Sequence, residues 1–167
     1  MSTSEGSAAP GWWSAPLTWI KGEAMAGQIE LGSIHHVRLT VTDIKRSREF
    51  YTDLLGFDVA VAAPDSHDPK SDPSYPVLWG GVVMAKGNYL LGLRPVAAKG
   101  DRFDEDRVGL DHLSFSVESR AALDKAIRVL DERKVPHGEV RELTSFGICV
   151  LPFRDPDNIQ LELTSPL

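Results

Sequence analysis

A chain of 167 residues with a net charge of −6 has the length of one domain, or of two small modules sharing a core. Its acidic balance excludes nucleic acid and anionic membrane as default partners. No apolar run reaches the length of a membrane span, and the single Cys149 excludes an internal disulfide, so the expected location is the cytoplasm.

Residues 1–30 read as a leader. "MSTSEGSAAP" has the composition of a disordered segment, and "GWWSAPLTWI" is too short and too aromatic for a secretory signal core. Trp12, Trp13 and Trp19 would pack on the domain or on a partner, or else translation begins at Met25. Residues 31–167 are expected to form a single domain. It holds module one (33–96), a solvated acidic linker (97–109, "AAKGDRFDEDRVG") and module two (110–165).

In module one, "SIHHVRLTV" alternates His35, Val37, Leu39 and Val41 against His36, Arg38 and Thr40, the pattern of a half-buried strand. Thr42 or Asp43 can cap the helix "DIKRSREFYTDLL", and Gly56 supplies its stop. "FDVAVAA" reads as a strand. Residues 64–76 form a polar, proline-rich loop long enough to act as a lid. "VLWGGVVMAKGNYLLGLRP" reads as a hairpin turning near Lys86-Gly87-Asn88. Module two repeats the plan. "LDHLSFSV" alternates, Ser119 can cap the helix "RAALDKAIRVLDERK", and Leu123, Ala126, Ile127 and Leu130 form its apolar stripe. "GICVLPFRD" and "IQLELTS" are strands around the turn "DPDN". The chain thus reads as βαβββ twice, an α+β fold. Superposing the halves places His36 on His112 and Gly92 opposite Glu162.

If the apolar side of each first strand meets its helix, then His36, His112 and Glu162 all fall on the opposite, concave face. Arg38, Thr40, Ser114, Ser116, Gln160 and Thr164 surround them. Two neutral imidazoles and one carboxylate make a facial triad that suits Fe(II) first, with Mn, Ni or Zn as alternatives. On this reading His36 is the ligand and His35 its packing neighbour. Arg38 could bind a carboxylate or phenolate of the substrate, or pair with an acidic residue. Tyr75, Tyr89, His67 and His137 are acid–base or supporting candidates, with packing and loop roles as the alternative. Cys149 has the profile of a small buried strand residue.

The segments "HHVRLTVTDIKRSREFYTDLLGF", "DHLSFSV" and "FRDPDNIQLEL" resemble the vicinal oxygen chelate superfamily. That group includes glyoxalase I, extradiol dioxygenases, methylmalonyl-CoA epimerase and the fosfomycin- and bleomycin-resistance proteins. The resemblance covers about residues 33–165. It implies the glyoxalase/bleomycin resistance/dioxygenase-like fold, whose paired βαβββ modules place curved mixed sheets around a cleft. It also implies His36, His112 and Glu162 as metal ligands, and a homodimer whose site takes one histidine from each module of different subunits. Glyoxalase I and the epimerases carry a fourth ligand where this chain has Gly92, and the fosfomycin enzymes carry a threonine where it has Arg38. The usual DPDG is DPDN here, a change that should leave the turn intact. The expected function is therefore that of a divalent-metal enzyme on a small vicinally oxygenated substrate, of extradiol dioxygenase type first. The alternatives are a glyoxalase-like lyase or isomerase, or a non-catalytic antibiotic-binding protein.

Overall fold

The computed structural model describes residues 29, 31–63 and 75–167, and residues 34–167 cluster as one unit. Trp12, Trp13, Trp19, Met25 and His67 lie outside the described residues.

Strand β1 (Val37–Thr40) leads into α1 (Ile44–Glu49), which continues as a π-helical turn over Phe50–Leu54. Asp43, not Thr42, caps α1, accepting from the Arg46 amide at 3.1 Å. The helical stretch stops at Gly56, whose φ of 68° is the left-handed conformation glycine adopts without penalty. Next come β2 (Asp58–Ala62), the short α2 (Tyr75–Leu78), β3 (Val82–Lys86) and β4 (Tyr89–Arg94). Val77 and Leu78 were expected within a hairpin strand and lie instead in α2, because Leu78 is buried there and a Trp-Gly-Gly turn follows it. The second half gives β5 (Leu113–Ser116), α3 (Arg120–Glu132), β6 (Arg141–Leu143), β7 (Ile148–Arg154) and β8 (Gln160–Pro166).

The strands form two four-stranded mixed sheets, ordered β1-β4-β3-β2 and β5-β8-β7-β6. In each the first strand runs parallel to the last, and the other pairs are antiparallel. The duplication holds to the residue. Arg38 pairs with Gly92 in one sheet and Ser114 with Glu162 in the other, so Gly92 and Glu162 are equivalent positions.

One apolar cluster includes residues from both sheets and both long helices. It holds Leu39, Val41, Tyr51, Met84, Leu91 and Leu93 from the first half, and Leu123, Leu130, Leu151, Phe153 and Leu161 from the second. The Phe57 and Phe115 rings meet across the halves edge to face at 5.9 Å. Cys149 is buried. The linker is not simply solvated. Phe103 packs on the core, its amide donates to the Asp157 carbonyl at 2.9 Å, and Glu105 pairs with Arg154. A large apolar residue amid the acidic run anchors it. Among the described residues no helix is long and apolar enough to cross a membrane.

Candidate metal and substrate site

Alternation puts the helix-facing residues of β1 and β5 into the core and leaves His36, Arg38, Thr40, His112, Ser114 and Ser116 exposed on the other face. His112 precedes β5, and the strand beside β5 carries Glu162. His112 Nε2 stands 3.9 Å from Glu162 Oε1. On the other side of the ring, Nδ1 hydrogen-bonds the Asp111 carboxylate. A carboxylate accepts only from an N–H, so this contact calls for a proton on Nδ1 and turns the Nε2 edge of the ring, the edge a metal ion would take, toward Glu162. Glu162 is held in turn. Thr164 Oγ1 donates to its Oε1 at 2.9 Å and lies 2.6 Å from Ser114 Oγ. With its single proton committed to Glu162, Thr164 accepts from Ser114, giving a relay from Ser114 through Thr164 to Glu162.

His36 is placed differently. Its Nδ1 shares a hydrogen bond with His35 Nδ1 at 3.0 Å, the rings crossing edge to face at 5.2 Å. Among the described residues of one chain, no three His, Cys, Asp or Glu side chains gather as a metal would require. The donor chemistry of His112 and Glu162 fits a divalent ion, with an imidazole lone pair and a carboxylate oriented by second partners. One chain therefore holds two of the three expected ligands together and the remaining histidine apart from them.

Arg38 lies along the first sheet. A Cβ on Gly92 would sit 3.0 Å from the Arg38 Cγ, so the arginine stem covers the position equivalent to Glu162. Its guanidinium donates to the Val77 and Leu78 carbonyls at 2.9 and 2.8 Å. Tyr75 opens α2, and its side chain lies outside the described residues. Tyr89 begins β4 beside the hairpin turn and is exposed. It shares the parity of Leu91 and Leu93, so the structure does not bring it to the face of His36. His137 lies away from these groups, bonded to the Gly138 carbonyl at 2.8 Å and to Asp131 at 3.1 Å. Those two contacts, the carbonyl first, raise its pKa.

Sequence reasoning missed Asp111 and Arg94. The first was legible as the neighbour of His112. The second was legible from parity, since Arg94 is opposite Thr40 in the register. A recess of about 330 Å³, lined by Thr40, Thr42, Arg102, Arg107 and Asp157 among others, contains none of the expected ligands.

The family model described as the Glyoxalase/Bleomycin resistance protein/Dioxygenase superfamily matches residues 33–163. The chain is 31% identical to the protein YwkD of Bacillus subtilis (strain 168) over 136 residues, covering 80% of this chain and 96% of that protein. It is 30% identical to YaeR of Escherichia coli (strain K12) over 138 residues, covering 80% and 95%. Among solved structures, a glyoxylase/bleomycin resistance protein/dioxygenase domain from Frankia sp. EAN1pec superposes with a TM-score of 0.64 at 30% identity, covering 83% of this chain and 94% of that one.

Proposed function

Because the chain belongs to the glyoxalase/bleomycin resistance protein/dioxygenase superfamily, we propose that it is a divalent-metal enzyme acting on a small substrate with two adjacent oxygens. His112 and Glu162 of one protomer, with His36 of the partner subunit, would hold the ion in a homodimer. The observation that carries this reading is the pairing of His112 Nε2 with Glu162 Oε1, each oriented by a second group, Asp111 and Thr164. An isolated strand histidine has no need of a tautomer-fixing carboxylate on one side and an oriented carboxylate on the other.

A divalent ion bound there would chelate the vicinal oxygens and stabilise negative charge developing on them. The protein's own residues then have defined tasks. Asp111 keeps the His112 proton on Nδ1. Ser114 and Thr164 hold Glu162 in one rotamer, so that the carboxylate need not reorient as charge develops. Arg38 offers its remaining N–H groups to the substrate.

Within the class, cleavage of a catechol-type ring with O2 is the first assignment, and lyase or isomerase chemistry the second. Three expected ligands with Gly92 at the fourth position support this order. Elemental analysis of anaerobically purified protein should find about one Fe, Mn, Ni or Zn per chain. His36→Ala, His112→Ala and Glu162→Ala should each lower that content. Oxygen uptake with catechols then separates dioxygenase from lyase. Metal-free protein after anaerobic reconstitution would overturn the enzyme reading in favour of a binding protein.

A further inference from the structure

Two guanidinium groups share the open face of the first sheet. Arg38 is opposite Gly92, and Thr40 opposite Arg94, so the two arginines are diagonal neighbours on adjacent strands and project from the same face. Neither forms an ion pair among the described residues. Among the described residues Arg38 has only carbonyl partners, which carry no net charge and leave three of its five N–H donors unassigned. Arg94 lies with its guanidinium carbon 4.3 Å from the centre of the Trp79 ring, and its Nε is buried with no hydrogen-bond partner. A buried donor without an acceptor costs free energy, and like charges on neighbouring strands repel.

The segment that holds both arginines is built around a strained turn. Trp79 has a φ of 57°, a conformation a bulky residue adopts only when its surroundings impose it. Gly80 follows with a φ of 74°. A Cβ on Gly81 would sit 1.9 Å from the Leu93 carbonyl oxygen, so only glycine lets this turn close against β4. The closed turn presents the Val77 and Leu78 carbonyls to Arg38 and the Trp79 ring to Arg94. One cation is thereby held by carbonyls and its diagonal neighbour by a π face.

We propose that Arg38 and Arg94 form a subsite for a small oxyanion, a carboxylate or a phosphate or phosphonate group. On the metal reading above, this deepens it: the substrate carries an anionic group in addition to its vicinal oxygens. Arg38 contributes its unassigned N–H groups, and Arg94 contributes its terminal N–H groups, its Nε being buried. The bare backbone of Gly92 keeps the space for the Arg38 stem.

The test titrates the full-length protein, as purified and after chelator treatment, with inorganic phosphate and with malonate at constant ionic strength. Calorimetry and tryptophan fluorescence are the readouts. Saturable binding of at least one anion is expected in both forms, weakened roughly tenfold or more in Arg38→Gln and in Arg94→Gln. Arg94→Lys should retain an intermediate affinity, and Trp79→Phe should bind while losing the fluorescence change. Phosphate without malonate assigns a phosphate-type group, and malonate without phosphate assigns a carboxylate. No binding of either anion, or wild-type affinity in folded Arg94→Gln protein, overturns the subsite. Binding that persists in a protein found to hold no metal would defeat the metal reading and leave the subsite standing. Stoichiometric metal without anion affinity would do the reverse.

Discussion

Asp155 has both carboxylate oxygens engaged at the turn between β7 and β8. Oδ1 accepts from the Asp157 and Ile159 amides at 2.8 and 2.7 Å, and Oδ2 accepts from the Tyr51 hydroxyl at 3.1 Å. Burial outweighs these bonds and pushes its pKa up to about 6. The folded protein therefore binds a proton between about pH 4 and pH 6 that the unfolded chain has released. This group's contribution is present below pH 4 and is lost as pH rises through 6, by about 3 kcal/mol at most. Asp155→Asn keeps an acceptor for the two amides and should flatten that part of the stability–pH curve, as followed by thermal unfolding from pH 4 to 8. Glu105 has the opposite sign, since the Arg154 guanidinium holds its carboxyl down at about 2. Its contribution disappears only as pH falls below the ordinary carboxylate range and through 2.

Two glycines make a second comparison between single residues. Gly81 faces the Leu93 backbone, which cannot yield, so Gly81→Ala should cost on the order of 3 kcal/mol or more in denaturant unfolding. Gly92 faces only the flexible Arg38 stem. Gly92→Ala should cost less than about 1.5 kcal/mol while displacing Arg38.

At the scale of elements, the two long helices have caps of unequal worth. Asp43 bonds the Arg46 amide, whereas Ser119 occupies the N-cap position of α3 with its hydroxyl making no capping bond. Asp43→Ala should therefore destabilise by about 1 kcal/mol and Ser119→Ala by little, a difference measurable by paired denaturant melts. Both residues looked equally good in the sequence, because a capping type names a candidate but does not set its rotamer. Strand faces were legible for a firmer reason. A period of two leaves no freedom once one side is apolar, so the equivalence of Gly92 with Glu162 followed from alternation and repeat alone. The DPDN turn was also legible. Asn158 takes a left-handed φ of 69°, a conformation asparagine tolerates better than most residues. What alternation could not convey was contact between elements distant in sequence. The Arg38 bonds to the end of α2 and the hold of Trp79 on Arg94 each depend on tertiary placement that no local pattern encodes.

For the whole molecule, the two halves are tied by polar contacts as well as by the apolar cluster. Asp157 is buried and accepts from the Thr42 amide at 2.9 Å and from Thr42 Oγ1 and Arg46 at 2.5 Å. Its removal strands those donors. Asp157→Ala should cost about 3 kcal/mol without splitting the unfolding into two transitions, as calorimetry would show.

That tie has a consequence for how the fold can be taken apart. The turn of the second half completes the start of the first helix, and Phe103 fastens the intervening strand of chain to the same turn. A protease cut placed after Phe103 should thus give fragments that are each unfolded alone yet reassociate into a native-like complex on mixing. The repeated sequence records two copies of a unit, and neither copy still carries everything it needs to stand by itself.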